Sequence, residues 1–157
     1  MSELNVKYGG NQRSIPAPAT VADAIKAFDR DGLKKVLAAK VNGEEVDLNR
    51  ELTATDEVLL IEPVTADSAD GLELIRHSTA HLLAAALLDL FPGTKLGVGP
   101  ALMEDPRYGF YYDVIAPRQL TEADLPVIEK RMKGMAKQNL VYRREVVEKA
   151  KDRKSVV

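Results

Sequence analysis

The sequence predicts an α+β protein in two parts, and three observations carry that reading. Within the first 63 residues an alternating hairpin, one amphipathic helix and several short strands follow one another. Residues 64–71 then break into a small, polar, unpatterned stretch. From Leu72 a long helical run begins, and it carries the only two histidines of the chain. A chain of 157 residues holds one ordinary domain or two small ones.

Leu4 to Tyr8 alternates apolar and polar residues, as a half-buried strand does, and Gly9-Gly10 turns the chain into a partner strand over Gln12 to Ile15. Pro16 and Pro18 close that hairpin. Thr20-Val21-Ala22-Asp23 is an approximate capping box, with Asp in the place of the usual Glu. The helix it opens has Val21, Ala24, Ile25 and Phe28 on its apolar face, with Gly32 as its expected end. Val36 to Val41 reads as a strand, and Asn42-Gly43 as a type I′ hairpin turn, because both central positions need positive φ. Val46 and Leu48 follow, and Val58 to Ile61 reads as a last, buried strand. A helix clasped by a mixed sheet is a β-grasp architecture, similar to ubiquitin, and it is placed at residues 1–63. No acid, base or nucleophile clusters there, so the plain reading of this part is an adaptor module.

Residues 64–71 read as a linker, and residues 72–157 as a second α+β part. Its first element is a helix from Leu72 to Leu90, stopped by Pro92-Gly93. Lys95 to Val98 reads as a short strand, and Tyr108 to Val114 as a longer one holding three of the five tyrosines. Thr121, with Asp124 at the capping-box position, opens a second long helix with Leu125, Ile128, Met132 and Met135 along its apolar side. Val141 to Val147 reads as a strand. Two helices and about three strands are thin for a closed domain, so this part reads as incomplete.

Composition narrows the function classes. Apolar residues make up 45% of the chain and the net charge is −2, so there is no basic arm of the kind that holds nucleic acid by field alone. Without cysteine, disulfides, thiolate zinc sites and cysteine nucleophiles are excluded within these residues. There is no apolar span of about 20 residues, so a membrane partner is not expected and the cytoplasm is the expected location.

The chemistry concentrates on the helix. His77 and His81 stand at i and i+4, on one face with Leu74, Ala84, Ala85 and Leu88, so the imidazoles are expected to emerge from an apolar stripe lined by small residues. Such a pair can chelate zinc, but Ser78 stands where a metalloprotease helix has its Glu base, and only carboxylates such as Asp113 remain to complete a ligand set. Composition alone favours partly buried, hydrogen-bonded histidines over a metal site. In a strand, Phe110 and Tyr112 would share one face and Tyr111 and Asp113 the other. One face is core; a tyrosine hydroxyl and a carboxylate on the strand could instead hold a ribose or an amino group. Lys130, Arg131, Lys133 and Lys137 could meet phosphate, but they are interleaved with Glu122, Asp124 and Glu129, as on a solvated helix.

Taken in order, these motifs resemble a known family. Arg76-His77-Ser78-Thr79-Ala80-His81-Leu82-Leu83, Lys95-Leu96-Gly97-Val98-Gly99-Pro100 and Gly109-Phe110-Tyr111-Tyr112-Asp113 are similar to the motif series of bacterial-type threonyl-tRNA synthetases. Leu120-Thr121-Glu122 with Asp124-Leu125, and Glu129-Lys130-Arg131-Met132, fit the same family. Val41-Asn42-Gly43-Glu44 looks like a piece of its TGS domain. The segment Met103 to Arg107 departs from the family as a local extension.

The resemblance implies a TGS β-grasp domain followed by the first part of an editing domain, which hydrolyses serine wrongly attached to threonine tRNA. It implies that His77, His81 and Tyr112 line the editing cleft, with Asp113 a weaker candidate, and that a Cys/His pair from a later segment completes it. It further implies a parent enzyme that joins threonine to tRNA(Thr), dimeric through other regions, with ATP, Mg and Zn bound in its synthetic core and no cofactor or metal in these residues. The chain alone is then not expected to be catalytically competent. The alternative is a naturally short, non-catalytic RNA-binding or regulatory module of TGS type; a freestanding editing hydrolase is disfavoured by the incomplete cleft.

Overall fold

The computed structural model describes residues 2–105, 107–140 and 145–146. Strands β1 (Glu3–Tyr8) and β2 (Asn11–Pro16) form the opening hairpin, in the register Leu4↔Ile15 and Val6↔Arg13. Gly9 and Gly10 take φ of 54° and 81°, which only glycine adopts without a Cβ penalty. A two-residue strand β3 (Ala19–Thr20) leads into α1 (Val21–Phe28). The Thr20 hydroxyl accepts the Asp23 N–H at 3.1 Å while the Asp23 carboxylate accepts the Thr20 N–H at 3.2 Å, so two otherwise unpaired donors are satisfied reciprocally. The Thr20 hydroxyl, donating to the Asp23 carboxylate at 2.7 Å, and then the Thr20 N–H hold the Asp23 carboxyl below its ordinary pKa.

Helix α1 ends at Phe28, before Gly32. Asp29 leaves the helix in an extended conformation and its carboxylate takes the Gly32 N–H at 2.8 Å, so Gly32 opens a separate single turn (Gly32–Lys35) instead of closing α1. Strands β4 (Val36–Val41) and β5 (Glu44–Val46) meet at Asn42 and Gly43, with φ of 50° and 87°. The Asn42 side chain also accepts the Leu60 N–H at 2.8 Å, which ties this turn to the next strand. The short β6 (Glu51–Leu52) pairs with β3, and β7 runs from Leu59 to Thr65.

The main sheet has the order β2-β1-β7-β4-β5, with β1 and β7 parallel and the other pairs antiparallel. Leu4, Val6, Val21, Ile25 and Ile61 are fully buried between sheet and α1, joined by Ala24, Ala39 and Leu52. This is the expected β-grasp. Strand β7 is longer than expected, with Ile61 and Val64 buried and Leu60, Glu62 and Pro63 exposed. Pro63 does not stop it, because residues beyond Ile61 have passed the end of β1 and one side of the strand is open there.

Residues 64–71 are therefore not an unstructured spacer. Val64 and Thr65 finish β7, and α2 begins at Ala69 and runs to Leu90. Ser68 caps it: its hydroxyl accepts the Gly71 N–H at 3.0 Å and donates to the Thr65 carbonyl at 2.7 Å. Gly71 lies so close to that carbonyl that a Cβ would overlap it. Lys40 of β4 pairs with Asp70 in the first turn of α2 at 2.5 Å.

After α2, Gly93 (φ 92°) turns the chain, and β8 (Lys95–Leu96) pairs antiparallel with β9 (Val114–Ile115). The strand expected over Tyr108 to Val114 is reduced to β9 and a single bridge, Ala101↔Phe110. Asp124 takes the capping-box position expected of it, behind Thr121. It accepts the Thr121 N–H at 2.8 Å, and a single turn (Glu122–Asp124) leads into α3 (Leu125–Lys137). Of the apolar side read for α3, Ile128 is buried, Met132 and Met135 are half-buried and Leu125 is exposed. The strand expected at Val141 to Val147 lies outside the described residues, Glu145 and Val146 apart.

The chain divides into two compact units: Met1–Ala80 with Val98–Tyr112, and His81–Gly97 with the described residues from Asp113 onward. No helix among the described residues is long and apolar enough to cross a membrane.

Candidate functional site

Helix α2 presents both histidines to solvent. Its buried line runs through Ala80, Ala84, Ala86 and Leu87, whereas His77, His81 and Ala85 are exposed and Leu74 and Leu88 half-buried. The expectation of imidazoles within an apolar stripe is thereby corrected. At 100° per residue, Ala84, His77 and His81 lie about 40°, 60° and 100° round the helix from Ala80, so the exposed imidazoles border the buried side.

Two further candidates lie on the returning segment. Tyr112 is half-buried, and its ring lies directly on Gly99, where a Cβ would overlap the ring carbons. Glycine at 99 is thus required by the close approach of an aromatic face. Asp113 is exposed, and its backbone carbonyl accepts the Gly97 N–H at 2.7 Å. His77 and Tyr112 fall in the first compact unit, His81 and Asp113 in the second.

Arg76 is a contact that sequence reasoning missed. From α2 its guanidinium donates to the Leu102 carbonyl at 2.5 Å, with the Met103 sulfur 3.9 Å away, and its side chain underlies Gly109. The Leu102 N–H in turn donates to the Gly109 carbonyl at 2.9 Å. The only available signal was an arginine directly before His77; its acceptor is a backbone carbonyl 26 residues away, which no local pattern reveals.

The basic residues of α3 are partly spent on internal pairs. Arg131 reaches Asp89 of α2 at 2.7 Å and Lys133 reaches Glu129 at 2.5 Å, which leaves Lys130 and Lys137 on the exposed side. Arg118 stacks 5.0 Å over the Phe91 ring and makes a two-pronged pair with Asp124 at 2.9 and 2.6 Å. That pair and the Thr121 N–H hold the Asp124 carboxyl far below the usual carboxylate range. Among the described residues no three His, Asp or Glu side chains converge to hold a metal ion. The β-grasp carries an open surface groove of about 240 Å³ lined by Arg50, Glu51, Thr53 and Thr55 among others.

The first part is thus a β-grasp module, and residues 6–65 match the ThiS family model. Over nearly its whole length the chain is related to threonine–tRNA ligases. It is 43% identical to the threonine–tRNA ligase of Oceanobacillus iheyensis over 153 residues, 96% of this chain and 22% of that protein. The enzymes of Marinobacter nauticus (42% over 138 residues, 88% of this chain) and Thermobifida fusca (41% over 145 residues, 92%) are similarly close. The chain spans about a fifth of the length of these relatives.

Proposed function

We propose that these residues form the N-terminal portion of a threonine–tRNA ligase and contribute to hydrolytic editing of Ser-tRNA(Thr). The observation that carries this reading is similarity to such ligases over 96% of the chain, together with two imidazoles exposed one turn apart on α2. Residues 1–63 serve as the TGS-type module and residues 72–157 as the start of the editing part. The parent uses ATP to join threonine to tRNA(Thr) in the cytoplasm, as a homodimer through other regions, with Mg and Zn in its synthetic core.

The need for a second site is physical. Serine lacks one methyl of threonine, and a pocket rejects the smaller side chain by only a modest factor. A hydrolytic site corrects what binding cannot. In that reaction water adds to the carbonyl of the serine ester, and an imidazole of His77 or His81 orients it and accepts its proton. The proton then passes to the departing ribose oxygen, which leaves free serine and a free terminal hydroxyl. Imidazole suits both steps because it exchanges protons near neutral pH. Tyr112 is assigned to the same site by its motif.

The test is deacylation of Ser-tRNA(Thr) by the full-length enzyme carrying this region. His77→Ala and His81→Ala are each expected to slow hydrolysis by about 10²-fold or more, with threonine attachment retained. Unchanged hydrolysis in both variants sinks the assignment. Tight binding of tRNA(Thr) by the 157-residue chain, without any hydrolysis by the full-length enzyme, would favour a non-catalytic RNA-binding module.

A further inference from the structure

We infer that Arg76 is the positioning residue that fixes the Tyr112-bearing segment against the helix that carries His77; the inference rests on the editing reading for its functional consequence, but not for its geometry. Three observations converge on it. The guanidinium donates to the Leu102 carbonyl at 2.5 Å, its stem underlies Gly109, and Leu102 and Gly109 are themselves joined N–H to carbonyl at 2.9 Å. Arg76 therefore grips both arms of a small hairpin at one point. The arms continue through the Ala101↔Phe110 bridge to Gly99 and Tyr112, which lie in van der Waals contact across the hairpin.

Chain order explains why a positioning group is needed here. Tyr112 sits in a stretch with little regular strand pairing of its own, and Tyr111 beside it is 45% exposed. Backbone hydrogen bonds alone leave such a segment free to open locally. A guanidinium offers several donors in a rigid fork, so one residue can hold a carbonyl while its stem packs under a glycine. Gly109 borders that arrangement: a Cβ there would only reach ordinary van der Waals contact with the Arg76 side chain, at 3.4 Å. The hairpin is thus indexed to the residue immediately before His77.

The test reads hydrogen exchange in the 157-residue chain. Arg76→Ala is expected to accelerate exchange of the Leu102 amide by about tenfold or more, with Val6 and Ile61 amides of the β-grasp unchanged as an internal check of folding. Millimolar guanidinium is expected to restore part of the Leu102 protection, and Arg76→Lys to fall between wild type and Arg76→Ala. In the full-length enzyme, Arg76→Ala is expected to lower kcat for Ser-tRNA(Thr) hydrolysis while leaving KM within about twofold. Unaltered Leu102 exchange overturns the inference, as does a loss of protection across the β-grasp as well. If exchange responds as expected but the wild-type enzyme does not hydrolyse Ser-tRNA(Thr), Arg76 keeps its positioning role and the editing reading fails.

Discussion

The β-grasp and the part of the chain beyond it solve the burial problem differently. In the first, large aliphatic side chains from five strands and one helix are sealed from water: Leu4, Val6, Val21 and Ile25 are 0% exposed. Beyond it the buried set is mostly small, with Ala80, Ala84, Ala86, Leu87 and Ile128, while Ile115, Leu125 and Leu140 stand more than half exposed. Apolar burial contributes roughly 25 cal/mol per Å², so among the described residues the β-grasp carries most of the hydrophobic stabilisation. The difference teaches where each part keeps its information. The β-grasp is specified by its interior, and the candidate chemistry lies on the outside of a helix whose interior is almost all alanine.

The contrast breaks most sharply in the cores. Ile25→Ala is expected to cost about 2–5 kcal/mol by denaturant unfolding, whereas Ile128→Ala, with α3 largely exposed around it, is expected near the low end of that range. Equal costs would mean that the two parts are equally packed. Two glycines come next, with opposite signs. Gly71→Ala forces a Cβ onto the Thr65 carbonyl and is expected to cost about 1–3 kcal/mol. Gly134→Ala, within α3 and with nothing within 4 Å, is expected to gain about 0.5–1 kcal/mol from the reduced freedom of the unfolded chain.

A smaller effect concerns acid. Arg118 and the Thr121 N–H lower the Asp124 carboxyl below its ordinary 3.8. The cap therefore adds stability at all pH above that value, and the contribution is lost as pH falls through the lower, folded value. Protection of the Thr121 amide, its exchange taken relative to the intrinsic rate at each pH, is expected to hold steady from neutrality to about pH 4 and to fall only in stronger acid. Asp124→Asn should show fast exchange throughout. The smallest stability effect belongs to the histidines. Because both are exposed, His77→Ala and His81→Ala are each expected to alter unfolding free energy by no more than about 0.5 kcal/mol. A larger loss would make them structural residues and weaken their catalytic assignment.

Local chemistry was legible in the sequence and long-range chemistry was not. Gly9-Gly10, the Thr20 cap, Asn42-Gly43 and the Thr121–Asp124 cap each act within four residues, and each forms as read. The misreadings share one cause. The strand read over Val58 to Ile61 runs on through Pro63 to Thr65, because whether a proline is tolerated depends on where the neighbouring strand ends. Gly32 looked like a helix end, but the Asp29 carboxylate had already turned the chain. The aromatic run at 108–114 has strand composition, yet its partners supply only one bridge, at Phe110, and one paired residue, Val114. The spacing of His77 and His81 was legible. Their exposure was not, because helical periodicity ranks faces without saying which one is covered.

The turn between sheet and long helix has a consequence for how the protein can be cut. Only three residues, 66–68, separate Thr65 from Ala69, and the Thr65 carbonyl holds both the Ser68 N–H (3.1 Å) and its hydroxyl (2.7 Å). A protease must draw several residues of extended backbone into its cleft, and this junction has no slack to give. A clone ended at residue 63 would likewise shear the last turn of a paired strand. The composition of the stretch invites a blade, and its hydrogen bonds refuse one.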